Sequence, residues 1–417
     1  MNPSITTHVS GLKPSATLAI NEQCNALIEE GKNVIKLGFG QSPFPVPQVV
    51  IERLRQHAHE KDYLPVKGLY ALREAVANYY QRTLKLDCLA EDVLIGPGSK
   101  ELLFLIQLIY EGEALLPQPS WVSYAPQAQL AHKQHHWLPT FAEDHYMLNA
   151  KTLRAHCEQQ PDQKRILILN YPSNPTGATF DEQTVAELAE VAREFNLLVI
   201  SDEIYSDVHH SGQHTTLAQH YPEGTIISSG LSKWCGAGGW RLGTFLFPKE
   251  LRWLLSHMAV VASETFTSTS APIQYAAIRA FQGGAEIDEY VRKSRKVLAH
   301  VALRAYDILQ ESHIACPPPA GGFYLMPTFD FYRDSLEKKG IHGSAQLCQQ
   351  LLQDTGVALL PLRDFGFPES FLGARLSYVD FDGAQALALI EEKPEVTAED
   401  LAPRVIQGVQ LIADWLS

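Results

Sequence analysis

The chain lacks any Cys-x-x-Cys pair, and its cysteines, Cys24, Cys88, Cys157, Cys235, Cys316 and Cys348, are scattered. That spacing argues against a zinc ribbon and against a disulfide framework, and a reducing, cytoplasmic compartment is expected. No apolar run approaches the roughly 18 residues that a membrane-spanning helix needs, so no membrane partner is expected. Met1 to Lys13 carries no basic stretch followed by an apolar core, so no secretory leader is expected. Basic residues are in deficit: 34 lysines and arginines face 47 aspartates and glutamates, a formal charge of −13. Nonspecific nucleic-acid binding, which depends on neutralising phosphates, is disfavoured. A locally positive pocket for a small anion is not excluded. Internal repeats and low-complexity tracts are also missing.

What remains is the composition of an ordinary globular protein, 45% hydrophobic and 19% charged. Its 417 residues suffice for two or three domain-sized units with ample core. In the middle of the chain, Arg165 to Asn170 (RILILN) reads as a buried strand running into the turn Tyr171-Pro172-Ser173-Asn174-Pro175-Thr176-Gly177. Val185, Leu188, Ala189, Ala192 and Phe195 then recur at helical spacing, and Leu197 to Ile200 is a second apolar strand ending in Ser201-Asp202-Glu203. Strand, helix and strand in that order predict a βαβ unit in a parallel sheet. Ligands of such sheets bind at the carboxyl ends of the strands, where Asn174 and Asp202 fall. Val93 to Gly96, Thr225 to Ser229 and Thr244 to Phe247 are further strand candidates, and Ile287 to Ile308 reads as a long helix. From about Ala320 onward the pattern is that of a smaller α+β unit. His135-His136 and His209-His210 are adjacent pairs that cannot face one metal from a strand; exposed loop histidines are expected, and no metal site.

The richest segment runs from Gly230-Leu231-Ser232-Lys233 through a glycine-rich loop to Arg241-Leu242-Gly243. It offers an accessible lysine, a hydroxyl and a second fixed cation, a set that suits a phosphate-bearing aldehyde held covalently on the lysine. On chemistry alone, a surface glycine loop with two basic residues is an equal alternative. The segment resembles the pyridoxal-phosphate attachment signature of the class I/II aminotransferases (fold type I, the aspartate aminotransferase family). Gly230, Leu231, Ser232, Lys233, Arg241, Leu242 and Gly243 match that signature position by position. Where Gly230 stands the family often has serine, a further phosphate ligand.

The resemblance extends from about Val34 to the end, with motifs in the family order, and it implies roles for other residues. Lys233 would be the Schiff-base lysine, and Ser232 and Arg241 would hold the phosphate. Asp202 would pair with the pyridine nitrogen, where a carboxylate favours the protonated ring; alone it reads as a helix cap. Asn174 and Tyr205 would bond the phenolic oxygen, although Asn174-Pro175-Thr176-Gly177 by itself is a plain turn. Ser99 and Lys100, opening the helical run Glu101 to Tyr110, would form the phosphate-binding helix start. Trp121 would stack on the ring, and Tyr63 would reach the phosphate of a neighbouring subunit in a homodimer.

On the substrate side the resemblance implies Arg375 as the α-carboxylate clamp, with Gly40, Trp121 and Asn174 beside it. Leu37-Gly38-Phe39-Gly40 and Pro43-Phe44 would close over the substrate, with Gln41 and Ser42 in place of the more usual Glu-Pro. Ser263 to Ser270 contains no arginine for a distal carboxylate, whereas Lys100 occupies the position a second group of the family uses for one. The implied fold is an α/β, fold type I transferase: a large domain (50–305) with a mainly parallel sheet, and a small domain from 1–49 and 306–417. The implied activity is amino-group transfer between an L-amino acid, aspartate, glutamate or aromatic, and a 2-oxo acid, using pyridoxal 5′-phosphate. The rivals on the same fold are a carbon–sulfur lyase or decarboxylase. A ligand-sensing regulator is disfavoured, because only about 33 residues precede the first motif, too few for a DNA-binding domain.

Overall fold

The computed structural model of the chain describes residues 4–393 and 395–417; residues 1–3 and 394 of the expected small domain lie outside them. Seven strands form the principal sheet: β1 (Val93–Gly96), β2 (Glu113–Gln118), β3 (His135–Pro139), β4 (Arg165–Asn170), β5 (Leu198–Asp202), β6 (Thr225–Gly230) and β7 (Gly243–Leu246). Their spatial order is β1-β7-β6-β5-β4-β2-β3, and only β7 runs antiparallel to its neighbours.

The central strands are apolar on both faces because helices cover both faces, as parallel sheets require. Alternation along β4 sends Ile166 and Ile168 to one side, against helices Ser99–Ile109 and Arg252–Thr265. Leu167 and Leu169 point to the other side, against helix Glu182–Glu194. Val93, Ile95 and Ile227 meet helices Tyr70–Leu84 and Ala271–Gln282 in a third apolar layer. That layer continues without a break along helix Ala285–Glu311 to the C-terminal helix Pro403–Leu416. The C-terminal part adds an antiparallel sheet in the order Leu360–Pro361, Ala374–Ser377, Tyr324–Leu325. The N-terminal segment joins the same region: Ile35–Lys36 pairs in parallel with Val357–Ala358.

Two features put the functional residues together. The first is register: Asn170 lies opposite Asp202, and Asp202 opposite Ser228, so the carboxyl ends of β4, β5 and β6 finish side by side. The second is a row of glycines across the same edge, Gly96 paired with Gly243 and Gly243's neighbour Gly230. A Cβ on Gly243 would sit 2.1 Å from the Ser99 amide nitrogen, and one on Gly230 would sit 2.5 Å from the Leu242 carbonyl oxygen. A side chain at Gly243 would push the start of helix Ser99–Ile109 off the sheet, and one at Gly230 would push the Leu242–Gly243 backbone away. The serine common in the family at position 230 is thus sterically refused by this backbone.

The structure departs from the sequence reading in places. β2 and β3 went unread, because Pro117 and Pro139 break the apolar pattern that marks a strand. His135 and His136 lie on β3 rather than in a loop, and His136 Nε2 meets Glu113 Oε2 at 2.9 Å. His209 is buried and His210 half-buried, not exposed, and burial holds each imidazole down at about 4. They pack where the turn after β5 meets the Gly321-Gly322 loop, which is a tertiary contact.

Ile200, fully buried on β5, contributes to the core shared with Met258 and Leu254. Its replacement by alanine should lower stability by about 2–5 kcal/mol, read as a drop in urea midpoint with the denaturant slope unchanged.

Candidate active site

The turn after β4, the end of β5, the loop after β6 and the start of helix Ser99–Ile109 converge on one cavity of about 380 Å³. Ser99, Lys100, Trp121, Asn174, Asp202, Tyr205, Ser232, Lys233 and Arg241 line it from the large sheet. Gly40 lines it from the N-terminal segment, and Arg375 from the small antiparallel sheet. Tyr63 does not line it. That tyrosine is 90% exposed in the loop after helix Gln48–His57, facing away from its own chain.

One end of the cavity is defined by Asp202. Its carboxylate is buried and accepts hydrogen bonds from Tyr124 Oη at 2.5 Å and Ser228 Oγ at 3.2 Å. Neither partner is a cation, so burial raises the carboxyl to about 6 despite those bonds. The Asn170 side chain braces the strand end, donating to the Asp202 carbonyl at 2.8 Å and accepting from the Asn174 amide at 2.8 Å.

The opposite end is cationic and rich in donors. Arg241 holds a left-handed backbone, φ 55°, and its Nη1 donates to the Gly238 carbonyl at 2.9 Å. Gly98 must be glycine here: φ is 92°, and a Cβ would stand 2.1 Å from Arg241 Nη2. The guanidinium therefore lies against the first turn of helix Ser99–Ile109, where backbone N–H groups have no helical acceptor. Ser99 and Ser232 add hydroxyls. Lys100 is exposed at the mouth, its Nζ 5.4 Å from the centre of a Trp121 ring. Desolvation against the cavity wall, and then the Arg241 charge, lower its pKa.

Lys233 stands between the two ends. Its Nζ donates to the Gly40 carbonyl at 2.9 Å and lies 5.5 Å from the Tyr205 ring centre. Above it, Arg375 is 1% exposed, with Nη2 donating to the Gly38 carbonyl at 2.6 Å and Nη1 to Asn174 Oδ1 at 3.3 Å. The guanidinium rests over Tyr324 at 4.6 Å and Phe365 at 5.4 Å, and its Nε has no partner. Burial lowers its pKa, and only the neutral phenols Tyr324 and Tyr205 offset that. A buried cation with an unmet donor and no carboxylate beside it is built to receive an anion from outside.

Sequence reading passed over Tyr124, Tyr324, Asn170 and Ser228 as site residues, and over Ser15, Thr17 and Leu18, which line the cavity at the start of helix Ala16–Glu29. Only the strand-end positions of Asn170 and Ser228 carried a signal. The others depend on which distant segments fold over the cavity.

Known proteins resemble the chain over most of its length. The family described as aminotransferase class I and II matches residues 32–381. An aspartate aminotransferase of Bacillus subtilis is 31% identical over 398 residues, spanning 93% of this chain and 96% of the relative. One from Geobacillus stearothermophilus is 32% identical over 381 residues, spanning 89% and 93%. The solved structure of the Thermus thermophilus aspartate aminotransferase with maleate superposes with a TM-score of 0.86 at 26% identity, covering 99% of both chains. The chain is a pyridoxal-phosphate-dependent transferase of mixed α/β fold. It belongs to the class I and II aminotransferases and moves amino groups between amino acids and 2-oxo acids.

The cavity fits that cofactor. The buried Asp202 carboxylate lacks the cation its burial calls for, and a protonated pyridine nitrogen is such a cation. The Ser99 helix start with Ser232 and Arg241 has the chemistry of a phosphate cradle, and the Lys233 amine between them can meet an aldehyde.

The sign of the Asp202 shift yields a test in protein stripped of cofactor. A carboxyl whose pKa is raised on folding contributes stability below its unfolded value, about 3.9, and loses it as pH climbs through about 6. Stripped Asp202→Asn should therefore melt at or above the parent at pH 7, by up to roughly 2–3 kcal/mol. The difference should vanish towards pH 4. Loading the cofactor should reverse the order, and scanning calorimetry of both forms reads all of this.

Proposed function

We propose that the chain transfers amino groups with aspartate or glutamate as a principal donor, through a site in which Lys233 is the catalytic amine. The observation that carries the dicarboxylate reading is the pair of cations at separate points of one cavity, Arg375 buried and Lys100 at the mouth. The named activity of the Bacillus and Geobacillus relatives supports it.

When bound, pyridoxal phosphate supplies an electron sink that makes loss of the substrate Cα proton feasible. Arg375 holds the substrate α-carboxylate through paired hydrogen bonds and so sets which Cα bond is broken. Asn174, already bonded to Arg375, keeps that fork in place. Lys233 Nζ, which rests on the Gly40 carbonyl, would take the proton from Cα as general base and give it up again as general acid. Asp202 would hold the cofactor at its ring nitrogen, Asn174 and Tyr205 at its phenolic oxygen, and Trp121 would stack on the ring. Ser99, Ser232 and Arg241 would anchor its phosphate, with the Lys100 backbone at the same helix start. Gly40 and its segment exclude water from above.

The active form is, in this reading, a homodimer in which Tyr63 completes the neighbour's phosphate site. The exposure of Tyr63 and of Trp253 and Val260 on helix Arg252–Thr265 supports it. Residues 50–305 are read as the large domain, and 1–49 with 306–417 as the small one. The cytoplasm is the proposed location, and six unpaired cysteines support it. Among the described residues no helix is long and apolar enough to cross a membrane.

Lys233→Ala should lose transamination while retaining the fold, and an undiminished rate would refute its role. Light scattering should find dimers, and a fully active monomer would remove Tyr63 from the site. Lys100→Ala should lower kcat/KM for aspartate at least about tenfold relative to phenylalanine, as loss of a charged contact worth ~1.5–3 kcal/mol requires. Equal loss on both substrates would take Lys100 out of the substrate pocket. Because its pKa is lowered, Lys100 sheds its charge at lower pH than a free lysine. The aspartate KM of the parent should accordingly climb in the alkaline range before that of phenylalanine, and Lys100→Ala should abolish this difference.

A further inference from the structure

Tyr324 joins the parts of the site without belonging to any motif. It lies on the short strand Tyr324–Leu325, paired through Ser377 with the strand that carries Arg375. The residue is 1% exposed, and its hydroxyl lines the cavity 2.8 Å from the Tyr205 hydroxyl. Arg375 sits 4.6 Å above its ring. Two glycines make room for it. A Cβ at Gly40 would lie 2.1 Å from the Tyr324 hydroxyl, and one at Gly177 would lie 2.1 Å from its carbonyl oxygen. Two segments distant in sequence, around Gly40 and Gly177, are thus shaped around one tyrosine.

We propose that Tyr324 is a positioning residue, its hydroxyl committing Tyr205 as a donor toward the cofactor's phenolic oxygen and its ring seating Arg375. This rests on the reading of Tyr205 in the preceding section. Each phenol has one proton to donate. If Tyr205 gives its proton to the phenolic oxygen, its own oxygen can only accept from Tyr324, which leaves one orientation for the pair. A donor that is itself accepting a hydrogen bond is polarised and donates more strongly. Burial holds the Tyr205 pKa well above that of a free phenol, so Tyr205 keeps the proton it must donate. The cation over the Tyr324 ring draws on the ring's electron-rich face and fixes the plane of the guanidinium. A phenylalanine would fill the same space and keep that seat while losing the hydroxyl, so the two functions separate by mutation.

The experiment is a pH titration of the visible absorption of cofactor-loaded protein without substrate. Donation to the phenolic oxygen stabilises its ionised form and lowers the cofactor's affinity for a proton. Removing a donor should raise the midpoint. Tyr205→Phe should raise it most. Tyr324→Phe should raise it by about half to one pH unit, a three- to tenfold change in proton affinity, as expected for one neutral hydrogen bond. The double variant should match Tyr205→Phe alone, because Tyr324 acts through Tyr205. For the ring, Tyr324→Leu should raise the aspartate KM about tenfold or more over Tyr324→Phe, the loss of a desolvated cation–π contact. A midpoint unmoved by Tyr324→Phe while Tyr205→Phe moves it overturns the hydroxyl's role, and so does a double variant showing the sum of both shifts. Equal KM in the Leu and Phe variants overturns the ring's role. A midpoint unmoved by Tyr205→Phe overturns the placement of Tyr205 itself, and the relay with it.

Discussion

A carboxylate removed from water costs several kcal/mol unless a cation meets it. Asp202 is held in that condition at the end of β5, buried and hydrogen-bonded to the Tyr124 and Ser228 hydroxyls, with no cation paired to it among the described residues. Much of the surrounding architecture follows. Parallel strands on both sides fix the Asp202 backbone, Asn170 pins its carbonyl, and Tyr124 reaches across from the next layer. In the function proposed above, a protonated pyridine nitrogen would relieve this cost, so that one interaction would serve both affinity and chemistry.

The other charges are arranged by the same logic at different depths. Arg375 is buried, forked and anchored on two sides, so it can hold a carboxylate in one orientation. Arg241 is exposed but pressed against a helix start by the glycine row, where N–H groups share the anion. Lys100 is a flexible point charge at the mouth, suited to a group whose position varies from one substrate to another. A buried, rigid cation thus stands at one point of the cavity and an exposed, flexible one at its mouth. Lys233 makes its only side-chain hydrogen bond among the described residues to the Gly40 carbonyl of the N-terminal segment.

The legible part of this design was local. The attachment segment from Gly230 to Gly243, the strand ends at Asn170 and Asp202, and the helix opened by Ser99 could be read because each is one stretch of chain with its own periodicity or turn chemistry. Strands β2 and β3 could not, since their prolines and histidines are tolerated only by the neighbours they pair with. His209 and His210 read as loop residues, yet they are packed by a loop more than a hundred residues away.

The sequence alone placed the protein in its class through resemblance: Gly230 to Gly243 matches the attachment signature of the class I/II aminotransferases, whereas the chemistry of those residues by itself left a surface glycine loop as an equal alternative. Its net charge disfavoured nonspecific nucleic-acid binding, and its scattered cysteines argued against a disulfide framework. Tertiary structure alone decided how those residues act. Asp202 is unpaired because folding buries it without a cation, and Gly230 is glycine because Leu242 crosses it. Tyr324 matters because Tyr205, Arg375, Gly40 and Gly177 all reach it from elsewhere in the chain. Spacing along a chain encodes turns and faces, whereas burial and contact between distant segments arise only when the chain closes on itself.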